Sequence, residues 1–265
     1  MIDERAIVDP AAELGLDVEI GPWTFIGPGV VVGDGCRIGP HAIVKGPTVL
    51  GRRNRIFQFA TVGEDTPALA YGGEPTTLTI GDDNVIREGV TIHRGMLQDR
   101  SATVIGNNNL FMAYVHVGHD CEVGDHVIMA NNASLAGHVS VGDHANIGGY
   151  SGILQFRTVG AHTHVAAFSY VIKDIPAYVT VAGNPALAVG LNIEGMRRRD
   201  VPEATRSALR RAYRMVYREG LTVPEACAAL ADAAAESAAV RLFVETVQAS
   251  EHGIVRPRSG TAGED

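Results

Sequence analysis

The chain has 265 residues, 46% hydrophobic and 20% charged, enough to bury a core in one large or two modest domains. Its formal charge of −8 argues against non-specific nucleic-acid binding, and no window approaches the roughly 18 consecutive apolar residues of a membrane span. The three cysteines, Cys36, Cys121 and Cys227, form neither a CxxC pair nor a disulfide framework, so a reducing, cytoplasmic setting is expected.

From the N-terminus the chain keeps a six-residue period. Every sixth residue from Ile2 through Val62 is apolar, Ile80, Ile86 and Ile92 continue the register, and after a slip of one residue the run extends from Ile105 to Val171. At 46% hydrophobic content, a run of this length arises by chance about once in 10⁹ trials. A period of six fits neither a helix nor simple strand alternation. It fits a chain that makes one short strand, turns and repeats, three such sides closing one triangular coil of eighteen. The recurring apolar residue fills the prism, and Gly, Asn or Asp near the corners is expected to supply the turn conformations.

Two segments interrupt the period, at about 64–78 and 94–103, and are expected to loop out of the coil. The repeat ends near 173–186, where prolines stop the strands. Beyond it the period becomes helical. Asp200 with Glu203, and Thr222 with Glu225, have the spacing of helix starts, and Gly220 that of a stop. A third apolar-periodic stretch runs from about Ala238 to Ser250. The expected organisation is a mainly β parallel β-helix over 1–186, a small helical domain over 187–255 and a disordered tail over 256–265.

Positions one coil apart should stack on each other. That places His119 under Gly137 and Gly137 under Gln155, Asp120 under His138, and Asn131, Gly149 and Ala167 in a second column. His126, His144 and His162 form a third, most simply a solvated corner ladder. His116 and His119 could likewise only decorate the outer face. They follow the second loop, however, and a histidine beside an open backbone amide supplies a base and an oxyanion donor, the minimum for acyl transfer. A metal is the rival reading: His93, His116 and His119 could converge on zinc, as in the γ-class carbonic anhydrases, but there the paired histidines are separated by four residues, here by two.

The segments "GPW", "FQFATVGEDTP", "GGEPT", "GDDNVIREGVTIHRG", "NNNLFMAYVHVGHDCEVG", "ANNASLAGHVSVGD" and "NIEGMRRR" resemble the UDP-N-acetylglucosamine acyltransferase family of lipid A biosynthesis along nearly the whole chain. The resemblance implies a left-handed hexapeptide-repeat solenoid that works as a homotrimer. It implies transfer of a 3-hydroxyacyl chain from acyl carrier protein to the 3-hydroxyl of UDP-N-acetylglucosamine, with no metal or organic cofactor. His119 would be the general base, Asp120 its orienting partner and the Gly137 amide the oxyanion donor. His116 and His138 would touch sugar or acyl chain, Gln155 the nucleotide or donor, Ala167 the acyl terminus, and Asn192, Glu194, Arg198 and Arg199 the uridine diphosphate. Arg52, Arg53, Arg55, Arg210, Arg211 and Arg214 are candidates for docking the acidic carrier protein. Ala68 and Ala70 replace an aspartate and a lysine of the family's first loop, and Leu154 replaces a histidine. A paralogue with altered acceptor or donor is therefore an alternative.

Overall fold

A computed structural model describes residues 1–97 and 100–258. Residues 98–99, within the second expected loop, and 259–265, within the expected tail, lie outside the described residues.

Short strands, mostly of two residues, build three parallel sheets that form the faces of a prism. The first face has nine strands, from Ile7–Val8 to Tyr170–Val171, and the second has eight, from Glu13–Leu14 to Thr158–Val159. The third has ten, nine parallel from Glu19–Ile20 to Val179–Ala182 and, tenth, the antiparallel strand Leu187–Leu191. The strand ladder thus runs past position 186, because the chain doubles back on Val179–Ala182 instead of leaving the prism. The fold is a left-handed parallel β-helix followed by helices.

Register follows the sequence period. His116 pairs with Ser134, Ser134 with Gly152 and Gly152 with Tyr170, each step one full coil. Thr61 pairs with Thr91, twelve positions more than one coil, and the first loop absorbs the excess. Thr91 pairs with His116, seven positions more than one coil, and this is the origin of the one-residue slip. The loops are slightly shorter than expected: strands Thr77–Ile80 and Ala102–Ile105 pair along their whole length, drawing 77–78 and 102–103 into the second face. The six-residue positions point inward, with Ile26, Val62, Ile92, Phe111, Val117 and Leu135 all fully buried.

The corners differ from expectation in chemistry. Many of the left-handed positions carry bulky side chains, with φ between 56° and 62° at Trp23, His41, Phe59, Tyr150, Phe156 and Phe168. Each such residue costs about 1–2 kcal/mol of backbone energy. Rings one coil apart stack and offset part of it: Trp23 on His41 at 5.0 Å, His41 on Phe59 at 5.4 Å, and Tyr150 on Phe168 at 5.2 Å.

Among the described residues five helices follow: α1 (Ile193–Arg198), α2 (Glu203–Tyr217), α3 (Val223–Ala229), α4 (Ala231–Glu236) and α5 (Ala238–Gln248). Thr222 and Glu225 form the expected capping box. Asp200 does not cap α2: it adopts φ 53°, and the N-cap is Pro202 without a side-chain bond. The α3–α4 segment breaks at Leu230, and α1, a helix of under two turns, is too short to show a period. Thr246 on α5 accepts the Ala177 amide at 3.0 Å, and Ser250 donates to Asp174 at 2.7 Å, closing the end of the prism. Arg256, expected in the disordered tail, is instead packed: it donates to the Val216 carbonyl at 2.8 Å and lies over Tyr217. None of the described helices is long and apolar enough to cross a membrane.

Phe111→Ala, emptying a fully buried site in this narrow core, is expected to cost about 3–5 kcal/mol, read as an earlier midpoint in chemical denaturation.

Candidate active site

At the corner between the first and second faces, the strand His116–Val117 feeds His119 and Asp120 into a turn, Asp120 adopting φ 57°. His119 Nδ1 lies 2.8 Å from Asp120 Oδ2. A carboxylate only accepts, so Nδ1–H donates and Nε2 is left bare as a base. Asp120 is fully buried, and its Oδ2 also accepts the Met96 amide at 2.9 Å while its own amide donates to Thr103 Oγ1 at 2.9 Å. The second loop and the following strand therefore fix the carboxylate that fixes the imidazole.

Gly137 is the next residue up this corner. A Cβ there would sit 2.5 Å from both Cε1 and Nε2 of His119, so only glycine lets the ring lie against this backbone. The Gly137 carbonyl accepts from Phe156 N at 3.2 Å, whereas its amide has no acceptor among the described residues. The corner between the second and third faces shows the contrast. There the amides of Asn107 and Asp125 are capped by the Asp125 and Asp143 carboxylates one coil on, at 2.6 and 2.8 Å. Gln155, one coil above Gly137 and exposed, supplies no such cap.

Three more histidines surround this pair. His138 stands edge-on to His119 at 4.8 Å and stacks on Phe156 at 4.3 Å. His116 Nδ1 meets Thr91 Oγ1 at 2.8 Å, and its ring is 5.2 Å from that of His93. His93 Nδ1 donates to the Asp65 carbonyl at 2.7 Å. Burial, with His93 and His119 nearby, pushes His116 down to about 4, and burial also lowers His93. Buried Arg94 binds the Gly63 carbonyl, the Asp65 carboxylate and, at 3.1 Å, the Tyr71 hydroxyl, tying down the first loop although Ala68 and Ala70 carry no charge. A cleft of about 400 Å³ beside His138 is lined by Arg100, Phe156 and His252.

The zinc reading requires ligand atoms of His93, His116 and His119 to converge, and among the described residues they do not form such a group. Among the described residues the group with ligand atoms mutually within 4.8 Å is instead His119, Asp120 and His138.

The other expected residues lie elsewhere. Asn131, Gly149 and Ala167 line the corner between the third and first faces, across the first face from His119. Asn192 caps α1 through Gly195 N and donates to the His162 carbonyl, both at 2.9 Å, and Arg199 donates to the His144 carbonyl at 2.9 Å. These bonds set α1 at the corner between the second and third faces, where His126, His144, His162 and Tyr178 stack at 4.7, 4.9 and 4.7 Å. Arg198 pairs with Glu194 at 2.9 Å. Asn192, Glu194, Arg198 and Arg199 line a cavity of about 370 Å³ with Ile128, Asn146 and His164. Sequence reasoning passed over Asn146 and His164, whose one signal is their place just before the inward residues Ile147 and Val165. The expected site residues of one chain thus lie at three different corners of the prism.

The basic clusters are partly neutralised. Arg52 faces Asp34 at 3.7 Å, Arg53 binds Asp83 at 2.6 Å, and Arg210 binds Glu203 at 2.7 Å. Arg211 and Arg214 on α2 have no carboxylate partner among the described residues.

Residues 174–255 match the family described as Udp N-acetylglucosamine O-acyltransferase; Domain 2, and residues 11–46 and 102–137 match bacterial transferase hexapeptide repeats. Over 256 residues, 97% of this chain and 99% of the relative, the sequence is 56% identical to acyl-(acyl-carrier-protein)–UDP-N-acetylglucosamine O-acyltransferase of Stutzerimonas stutzeri (strain A1501). The enzyme of the same name from Pseudomonas aeruginosa (strain LESB58) is 55% identical over the same coverage. Among solved structures, LpxA from Acinetobacter baumannii matches with a TM-score of 0.94 at 45% identity, covering 96% of this chain and 99% of that one. The UDP-N-acetylglucosamine O-acyltransferase from Moraxella catarrhalis RH4 gives 0.95 at 43%, with the same coverage.

Gly137→Ala is expected to push the His119 ring aside and lower turnover by about 10²-fold or more, with the thermal midpoint little changed. A second expectation concerns acid. His116 and His162 are both held near 4 by burial, against an ordinary 6.5, so the unfolded chain takes up protons that the folded chain refuses. Stability present above pH 6.5 should decline as pH falls toward 4, and His162→Phe, which keeps a stacking ring, should lessen that slope in thermal scans.

Proposed function

The chain belongs to the acyl-(acyl-carrier-protein)–UDP-N-acetylglucosamine O-acyltransferase family, and from that premise we propose that the His119–Asp120 pair and the Gly137 amide carry out the transfer. The enzyme moves an acyl chain from acyl carrier protein to UDP-N-acetylglucosamine, in lipid A synthesis. His119 Nε2 removes the proton from the 3-hydroxyl of the sugar, whose oxygen attacks the thioester carbonyl. Asp120 holds the opposite ring nitrogen and favours the imidazolium that forms. The carbonyl oxygen takes up the electron pair and lies on the Gly137 N–H, a donor of the kind worth about 3–4 kcal/mol of barrier. Collapse restores the carbonyl and breaks the carbon–sulfur bond, and the proton passes from His119 to the departing thiol. No metal or organic cofactor enters these steps.

The observation that carries this reading is the bare Nε2 lying against an uncapped amide, with His116 and His138 poised around it for sugar or acyl chain and Gln155 above for the nucleotide or donor. The dispersal of the remaining parts supports a homotrimer. A ring built head to tail brings the His119 corner of one chain against the third face and α1 of the next, and such heterologous contacts close under threefold rotation. The exposed aromatic corner of Trp23, Phe59, Tyr114, Tyr150 and Phe168 would be covered in that ring, with Ala167 beside the acyl terminus. Arg211 and Arg214 form the stronger of the two basic candidates for docking the acidic carrier protein. Three free, buried cysteines suit the cytoplasm.

His119→Ala should lower kcat by about 10²–10⁴-fold in an assay with acyl carrier protein thioester and UDP-N-acetylglucosamine, without altering the oligomer; full residual activity removes His119 from the mechanism. Mixing His119→Ala with an inactive Arg199 variant, unfolded and refolded together, should restore about a quarter of the activity, because a site drawing on two chains regains both groups in that fraction of pairings.

A further inference from the structure

We propose that Thr103, which no step of the transfer touches, is a positioning residue that holds Asp120 and, through it, the catalytic base. This rests on the proposed function, which gives His119 and Asp120 their roles. At other left-handed corner residues the amide donates to a carbonyl nineteen positions back, in the coil below: His126 to Asn107 and His138 to His119 at 2.9 Å, His144 to Asp125 and His162 to Asp143 at 2.8 Å. The same count from Asp120 arrives at Ser101. At the exit of the second loop, however, the Ser101 carbonyl accepts the Thr77 amide at 3.0 Å. Asp120 is fully buried, so its amide would be left without an acceptor, at a greater cost than an ordinary hydrogen bond contributes. Thr103 Oγ1 fills the gap at 2.9 Å.

Thr103 occupies a fully buried place in the strand Ala102–Ile105, in register with Leu78, where valine would have the same shape and no hydroxyl to satisfy. Its bond acts together with one from the other end of the loop. A Cβ on Gly95 would collide with Ala102 N, so the two ends of the loop press against each other. Both ends reach the same residue: the Met96 amide donates to Asp120 Oδ2, and the Thr103 hydroxyl accepts the Asp120 N–H. Asp120 Oδ1 has no partner among the described residues, so this oxygen does nothing to fix the tilt of the carboxylate. The direction of Oδ2 toward His119 Nδ1 depends on Met96 and on the backbone that Thr103 holds at φ 57°. Without that hold the left-handed aspartate relaxes, and a displacement of about 1 Å is enough to cost about 10²-fold in rate.

The test measures kcat and both KM values in Thr103→Val, Thr103→Ser and Thr24→Val, and repeats Thr103→Val in an Asp120→Ala background. Thr24→Val is the control: it removes another buried hydroxyl bond, to the Gly39 carbonyl, near the N-terminal end of the prism. Thr103→Val should lower kcat about 10- to 100-fold with both KM values little changed, and Thr103→Ser, which keeps the acceptor, should retain most of the activity. Thr24→Val should lower the thermal midpoint without changing kcat. In the Asp120→Ala background the Thr103→Val loss should disappear, because nothing is left to position. An equal loss in both backgrounds overturns the proposal, as does wild-type kcat in Thr103→Val or a loss in Thr103→Ser as large as in Thr103→Val. If Thr103→Val does not fold, Thr103→Ala removes the same acceptor and is read in the same way. Hydrogen exchange at the Asp120 amide should be faster in Thr103→Val, and unchanged exchange also overturns the proposal. That readout needs no turnover, so failure of wild type to acylate UDP-N-acetylglucosamine removes the proposed function alone and leaves the hold on Asp120 to be judged by exchange.

Discussion

The length of one coil, three sides of six, is the constraint from which the rest follows. The apolar residue at every sixth position locks successive turns in register, and that register delivers Gly137 onto the ring of His119. The fit is tight enough that a single methyl group would occupy the place of the imidazole. The same stacking makes the corners tolerable. A bulky residue in the left-handed region costs about 1–2 kcal/mol, and a ring stacked on its neighbour one coil away returns about 0.5–1.5 kcal/mol. At the corner between the second and third faces, carboxylates one coil on also cap the corner amides. The Gly137 amide has no such cap among the described residues, and this leaves a donor free for chemistry.

The prism was legible in the sequence because its period is long, regular and unlike that of any helix. The His119–Gly137 and Asp120–His138 juxtapositions followed from counting by whole coils, and the stacking of His126, His144 and His162 followed as well. The corner chemistry was not legible. Local propensity assigns left-handed positions to Gly, Asn and Asp, whereas Trp23, Phe59 and Tyr150 hold them through contacts with a neighbouring coil, far outside any local window. Asp200 has the spacing of a helix cap but adopts φ 53° outside α2. The Met96 and Thr103 bonds to Asp120 arise from a loop whose path no periodicity encodes. That Ala167 lies on a different corner from His119 was implicit in the same arithmetic, whereas Asn192 lies beyond the repeat and its place emerges only once α1 is seen docked on the His144 and His162 carbonyls.

Physically, the dispersed site separates tasks. On the proposed reading, the reacting groups sit on a corner whose carboxylate is buried, and the groups assigned to measuring and gripping substrate sit at other corners. Ala68 and Ala70 leave their positions of the first loop uncharged without freeing it, since Arg94 ties Gly63, Asp65 and Tyr71 together and the Asp65 carbonyl sets the tautomer of His93. The loop therefore exerts an orienting effect on the histidine cluster through the Asp65 carbonyl.

The most direct measurement is a crystal structure of the enzyme with UDP-N-acetylglucosamine and an uncleavable acyl carrier protein thioester mimic. The account predicts the donor's carbonyl oxygen about 2.7–3.1 Å from Gly137 N and the sugar 3-hydroxyl within hydrogen-bond reach of His119 Nε2 in the same chain, with the nucleotide under α1 of a neighbouring chain. A carbonyl bound on another face of the prism, or a 3-hydroxyl turned away from His119, would contradict it.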